Sequence, residues 1–438
     1  MENRINRALK AQLHPIATLR QLSPHVFAHR GLSDQGNPVS FLYNNSIHVT
    51  IIVRIMPEFH SELSTISERP YWAEAYIPAS TVQVHASNLL LLPSGDLLCA
   101  WFGGSQEGCS DISVHISRLP KGAKTWSAPR RISDDPDRSE QNPVLFLNPQ
   151  TLQLWVLYTA QPAGNQDKAV VRYRISSDKG ETWSEAHQLL PEEGLFIRQP
   201  IVVLKDGTWV LPAWYCRTPP GFRWNGNDDV SVIRYSKDGG RTWGEKGVPN
   251  SIGCVHMNIK ELLDGSYIAF FRSRWAANVY RSTSTNGLDW IEPTPTSLPN
   301  PNSGICFDVL PSGKLMLIYN DSSASSNMPK REGLYDDITP ESDKRVNQPS
   351  TTTKEAFWGA PRKDLTVGIS SDSGKTWKTK VVEHGDGFCM TNNSKERMNR
   401  ELSYPSIAVE KDGMVHLAFT FWRQRIKYVR LNGEFVNL

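Results

Sequence analysis

The 438-residue chain has no apolar run of membrane-spanning length, and its six cysteines include no Cys-x-x-Cys pair and no zinc-type spacing. Scattered at 99, 109, 216, 254, 306 and 389, they suit buried thiols in strands rather than a disulfide or metal framework. No metal or other cofactor is therefore expected, and no membrane partner. Charge of one sign is also scarce. Against 48 Lys and Arg stand 45 Asp and Glu, a net +3, too weak to argue for nucleic acid but compatible with an anionic ligand. Residues 1–30 hold a single acid, Glu2, and lack the apolar stretch of a secretory signal; they are also too poor in Ser for a transit peptide. Secreted and cytoplasmic locations both stay open. Helical periodicity is missing throughout.

What is present is a repeat. Ser236-Lys-Asp238-Gly-Gly240-Arg-Thr242-Trp243 has counterparts at Ser176-Ser-Asp178-Lys-Gly180-Glu-Thr182-Trp183 and Ser371-Asp372-Ser-Gly374-Lys-Thr376-Trp377. Weaker copies stand at 121–126 and 284–290, so five of the 14 tryptophans lie in repeats. Each octet reads as a tight hairpin turn. Asp accepts bonds from its own turn's amides, Gly takes the positive φ, and Trp folds back as a small plug, half-buried at the periphery.

Around these turns a two-part unit recurs from His85 onward. A strand, a turn such as Ser94-Gly95, Asp206-Gly207 or Asp264-Gly265, and a second strand come first; a third strand, the repeat and a fourth strand follow. Six such units are counted, the last lacking a fourth strand, for which Trp72–Ile77 is the candidate. Two inserts interrupt the pattern, 322–361 and 383–400. Residues 1–55 are expected to lie outside the domain as an extension, with Met56 as a working start and the propeller over 56–438; 46–56 reads as a strand that belongs to nothing.

The repeat resembles the Asp-box, or BNR repeat, of sialidases and related propellers, over roughly residues 81–438. That resemblance implies an all-β fold, a β-propeller with four-stranded antiparallel blades: six as counted, seven if residues 60–84 and the C-terminus supply another. Fold alone does not fix function.

In a propeller the innermost strands line a channel, and ligands bind at one mouth. Reading those positions blade by blade gives His85 and Asn88; Gln141 and Asn142; Arg198 and Gln199; His256 and Asn258; Asn302; and Arg400, Glu401 and Tyr404, with Arg423 and Arg425 in the last second-to-third loop. Arg272 and Arg274 alternate along a strand, so only one is expected to face the channel. Arg forks match carboxylates, and Asn, Gln and His hold sugar hydroxyls, so an acidic oligosaccharide or polysaccharide is the expected partner. Glu107 and Asp111 are read as loop caps.

Two reactions on acidic sugars compete. The sialidase resemblance implies three arginines on a carboxylate, a Tyr nucleophile helped by Glu and an Asp acid/base; Tyr404 in Leu402-Ser-Tyr404-Pro-Ser resembles the last-blade nucleophile strand. Arg54-Ile-Met-Pro57 superficially resembles the family's arginine motif but precedes the first blade by about 30 residues, which puts hydrolysis of sialosides in doubt. The segments Val84–Asn88, Trp101–Gly108, Glu140–Pro143, Cys254–Asn258 and Asn399–Pro405 resemble a propeller subfamily that includes rhamnose–glucuronate lyases and related rhamnosidases. That likeness implies β-elimination at a glucuronate carrying terminal rhamnose. His85 would be the base, with His256 or Tyr404 assisting. A third reading is a carbohydrate-binding propeller without catalysis.

Overall fold

The computed structural model describes residues 39–43, 47–51, 59–66, 69–162, 164–335, 338, 344–347 and 354–436. The chain divides into two compact units, Met1–Phe59 and His60–Leu438. In the first, Val39–Tyr43 pairs antiparallel with Ile47–Ile51, so the stretch read as an unattached strand is one arm of a hairpin. The Arg54–Pro57 motif lies outside the described residues.

The second unit is a β-propeller of six blades, not seven. Blade I is Gln83–Leu91, Leu97–Gly104, Ser113–Leu119 and Arg130–Arg131; blade II is Arg138–Leu147, Leu154–Pro162, Val170–Ser176 and His187–Gln188. Blade III runs from Leu195–Ile197 and Val202–Val203 through Trp209–Tyr215 and Val230–Ser236 to Gly244–Gly247. Blade IV is Cys254–Glu261, Tyr267–Ser273, Asn278–Ser284 and Thr294–Pro299; blade V is Cys306–Val309, Leu315–Asn320, Leu365–Ser370 and Lys378–Glu383. Blade VI takes Leu402–Val409, Val415–Phe421 and Arg425–Leu431 from the C-terminal end and Arg69–Ile77, then Ser64–Ile66, from the N-terminal end. The N-terminal strand thus closes the ring, Ile77 opposite Ile426 and Ala75 opposite Tyr428. The segment that could have begun a seventh blade completes the sixth. Closure removes the open edge that the last blade would otherwise expose. At this seam the buried Lys427 binds Glu383 at 2.7 Å and Glu74 at 3.2 Å.

The core lies between blades, and this explains the unbroken apolar second strands. In Leu97–Gly104, Leu97, Cys99 and Trp101 pack toward blade VI, while Leu98 and Ala100 pack toward blade II. In Trp209–Tyr215, Trp209, Leu211 and Ala213 face blade II, and Val210 faces blade IV. The period of two places every side chain in one apolar layer or the next.

Each repeat turn joins a third strand to a fourth, as expected. Asp238 Oδ1 accepts the Thr242 amide at 2.9 Å and Oδ2 its hydroxyl at 2.6 Å. Ser236 Oγ donates to Asp238 at 2.8 Å and accepts the Gly240 amide at 2.8 Å. Asp178 and Asp372 repeat the pattern, with Ser176 and Ser370 two residues before each Asp, so the working serine of the third copy is Ser370 and not Ser371. These bonds to the ionised form hold all three Asp well below the usual carboxylate range. Trp183, Trp243 and Trp377 are half-buried; Trp126 and Trp290 are buried.

Candidate active site

The innermost strands do not run straight through the channel. Antiparallel register slips by one residue at His85/Asn88 in blade I, Gln141/Val144 in blade II, Val255/Asn258 in blade IV and Ser403/Ser406 in blade VI, two inner-strand residues standing opposite one each time. At the start of each slip one residue takes a left-handed backbone: Ala86 (φ 60°), Asn142 (50°), His256 (56°) and Tyr404 (51°); Asn302 (56°) does so in blade V. None is glycine, and only Asn tolerates this region readily. These bulges re-aim side chains into the channel, as bulges beside active sites commonly do.

At the axis stands Tyr404. Arg272 donates to its hydroxyl at 2.5 Å, and the guanidiniums of Arg198, Arg272 and Arg362 each lie 5.5 Å from its ring centroid. The His85 ring centroid is 4.2 Å away and that of His256 5.4 Å. Both histidines are buried. Burial, then Arg423, pushes His85 well below the usual histidine range, while burial, then Arg272 and Arg274, does the same to His256. Both are neutral imidazoles near neutral pH. His85 Nδ1 is 2.9 Å from Thr420 Oγ1 and 3.5 Å from Glu401 Oε1, and its Nε2 is 3.5 Å from Arg423. His256 Nε2 is 3.3 Å from Arg272, and its ring lies against Trp214 at 4.6 Å.

Below Tyr404 runs a fixed charge chain. Glu401 binds Arg362 at 3.1 Å and Arg423 at 3.2 Å and accepts from Ser403 at 2.7 Å; Arg423 reaches on to Glu107 at 2.6 Å. Burial alone would raise the Glu401 carboxyl, but Arg362 and Arg423 hold it well below the carboxylate range. To one side Arg274 pairs with Asp229 at 2.7 Å, and Trp224 and Trp358 cover its guanidinium.

The buried charges do not balance. Five guanidiniums, of Arg198, Arg272, Arg274, Arg362 and Arg423, share three carboxylates, Glu107, Asp229 and Glu401. Among the described residues Arg198 and Arg272 have no carboxylate partner. Burial lowers Arg272 to about 9, the response of a cation taken from water without a counter-charge. Arg198 donates instead to the backbone carbonyl of Ser87 at 2.8 Å and lies within 3.5 Å of those of Tyr404 and Pro405. Its Nε has no partner.

The other positions singled out in the sequence divide by role. Asn302 Oδ1 accepts from Arg272 at 2.7 Å and so belongs to the centre. Asn88 and Asn258 join blades instead, accepting the amides of Leu145 at 2.9 Å and Phe307 at 2.8 Å. Gln199 donates to the Ile305 carbonyl at 3.0 Å, and Gln141 lies beside Ser139 and Tyr335. Arg400 is turned away from the cluster and grips Asp386 with two nitrogens, over Phe388. Arg272 and Arg274 are both buried at the channel, because Arg274 follows the strand rather than continuing its alternation. Asp111 caps its loop through Ser105, whereas Glu107 is the buried partner of Arg423.

Glu401 and Arg423 stand at mouth positions that the blade-by-blade reading reaches, at the entry of blade VI and in its second-to-third loop, but that reading gives neither a part in the site, and it does not reach Arg362. Register reaches Arg423, which follows the second strand of blade VI as Arg274 follows that of blade IV, but does not reveal its carboxylate partners. Arg362, at the end of the first insert, has no such signal. Described residues of that insert also reach the channel side chains: Tyr335 accepts from Gln166 at 2.8 Å, and the Trp358 ring lies 5.9 Å from the Arg272 guanidinium. Among the described residues no cluster of metal-ligating side chains and no helix able to cross a membrane is found.

The BNR repeat-like domain family matches residues 95–417. No curated protein matches the chain. Among solved structures, a Hadza microbial sialidase superposes with a TM-score of 0.60 at 16% identity, over 83% of this chain and 69% of that one. A leech intramolecular trans-sialidase gives 0.55 at 13% identity, over 80% and 68%. A protein of unknown function from Dyadobacter fermentans gives 0.57 at 14%, over 83% and 99%. At such identities the likeness is one of fold.

Proposed function

This chain belongs to the BNR repeat-like domain family, and from that premise we propose that it is a carbohydrate-active enzyme acting on a carboxylate-bearing glycan. The two buried guanidiniums without a carboxylate partner, Arg198 and Arg272, support an anionic sugar: a buried cation is stabilised when a ligand carboxylate supplies the missing charge.

The reaction we favour is β-elimination at a uronate, and terminal rhamnose on a glucuronate is the particular substrate proposed. The observation that carries it is the pairing of His85, buried and neutral, with Tyr404, whose hydroxyl is held by Arg272. His85 takes the proton from C5, and the carboxylate, held against Arg272, absorbs the developing charge. The bond from C4 to the leaving oxygen then breaks, and that oxygen takes a proton from Tyr404. The proton is returned to Tyr404 by His85 or solvent, so the residues are regenerated. Glu401 and Glu107 are committed to arginines, and Glu401 is held ionised, so neither supplies the carboxylic acid that ordinary glycoside hydrolysis requires. The reading requires Tyr335 and Trp358 to move aside as the glycan arrives.

Sialidase-type hydrolysis is the second reading, favoured by the three guanidiniums around Tyr404 and by the sialidases among the similar folds. Incubation with uronate glycans separates the two. Elimination leaves a conjugated unsaturated uronate with strong ultraviolet absorbance; hydrolysis releases sugar without it; a binding protein does neither.

A further inference from the structure

Beside the buried centre lies a cavity of about 210 Å³, between the first insert and the loop joining the second and third strands of blade III. Trp224, Tyr335 and Trp358 line it, with the carboxamides of Asn165, Asn225 and Asn347. Its charges balance in number: Lys330 pairs with Glu355 at 2.9 Å and Arg345 with Asp167 at 2.8 Å, and Arg223 and Glu332 add one charge of each sign. In this it differs from the centre, where Arg198 and Arg272 lack carboxylates. Aromatic rings with neutral carboxamides suit a sugar that offers C–H faces and hydroxyls but no charge.

Trp358 borders both places. It lines the cavity, and the guanidiniums of Arg272 and Arg274 lie 5.9 Å and 5.1 Å from its ring. Tyr335 does likewise through its hydroxyl, 3.5 Å from Gln141. One layer of side chains therefore separates the cavity from the centre, close enough for neighbouring residues of one glycan to occupy both.

We propose that this cavity is a subsite for one neutral sugar ring, adjacent to the acidic residue held at the centre. The identity of the glycan rests on the function proposed above; the neutrality of this sugar rests on the cavity lining alone.

Gly333 provides the test. It lines the cavity, and a Cβ added there meets nothing within 4 Å. Gly333→Phe should fill the space without disturbing the centre, and Gly333→Ala should leave it open. The probes are methyl glycosides of neutral hexoses and 6-deoxyhexoses, with methyl glucuronide for comparison, titrated by calorimetry. Wild type and Gly333→Ala should bind the neutral glycosides, and Gly333→Phe should bind them at least about tenfold more weakly, a 1.4 kcal/mol difference. Equal affinity in Gly333→Phe overturns the proposal. So does an absence of neutral-glycoside binding in the wild type, or loss of glucuronide binding alone in Gly333→Phe. Because the readout needs no turnover, a negative ultraviolet assay leaves this result standing, and a positive one does not establish it.

Discussion

Arg272 at the end of a blade IV strand donates to the hydroxyl of Tyr404 in blade VI at 2.5 Å, so the channel centre is held by a bond between blades on opposite sides of blade V. This contact makes Tyr404 more than a packed strand tyrosine. Tyr404→Phe keeps the ring and removes the proton that the proposed elimination needs. Turnover should fall by about 10²–10⁴-fold, the usual range for a lost acid or base. Folding stability should fall by only about 1–2 kcal/mol, the cost of leaving one charged donor short of a partner. Steady-state kinetics together with urea unfolding would check both; unchanged turnover would make Tyr404 a structural residue.

His85→Ala should reduce turnover by about 10²–10⁴-fold while calorimetric binding of an acidic disaccharide persists. Solvent deuterium should appear in unreacted substrate, if anywhere, only with the wild type. A variant that keeps more than roughly a tenth of wild-type turnover would sit outside that range and move the base elsewhere.

Arg198 and Arg272 should part company on substitution. Arg198 supports backbone carbonyls of blades I and VI, so Arg198→Ala should destabilise the fold by about 1–3 kcal/mol through orphaned acceptors. Arg272→Ala should instead cost about 2–5 kcal/mol in kcat/KM on a uronate substrate, as expected when one partner of a desolvated charge pair is removed. On a carboxyl-reduced substrate wild type and Arg272→Ala should differ little. An undiminished wild-type rate on that substrate would refute carboxylate recognition.

Stability should fall as pH drops below 6.5. His85 and His256 both have folded values well below the ordinary 6.5, so the unfolded chain binds protons that the folded chain refuses. Each contributes a slope of up to about 1.4 kcal/mol per pH unit until its folded value is reached. Glu401, held below its ordinary 4.5, adds loss in the same direction at more acid pH. Its contribution is complete above that value and disappears as pH falls through the folded one. Urea midpoints measured across this range should slope less steeply near pH 6 in a His85→Asn/His256→Asn double variant, the remaining slope coming from His115 and His416, which burial also holds below the ordinary histidine value.

The left-handed turn of the inner strand can be tested at Asn142, where φ is 50°. Asn142→Gly should be tolerated. Asn142→Val places a β-branched residue in a region it avoids, and should destabilise the protein by about 1–3 kcal/mol. Equal midpoints for the two variants would mean that the bulge carries no such strain.

The repeat turns, the six blades and the closing strand at Trp72–Ile77 were legible because each follows from local rules: Asp–Thr bonding, glycine at positive φ, and a period of two. His85, His256, Asn302, Arg272 and Tyr404 were legible because repeat register puts equivalent positions at one mouth. Asn88 and Asn258 obey the same register, yet they join blades. Side-chain direction after a bulge depends on backbone torsions that residue type does not fix.

Residue order alone determined the architecture, since every blade repeats a pattern that closes over about a dozen neighbouring residues at a time. It also determined that polar side chains crowd the channel mouth. Tertiary structure decided which of them meet. Glu401 finds Arg362 across 39 residues and Arg423 finds Glu107 across 316, pairings made by ring closure and by an insert with no periodicity to read. It also decided the balance of charge: which arginines have carboxylates, and which two have none, is a property of distances in a low-dielectric interior that no linear pattern encodes.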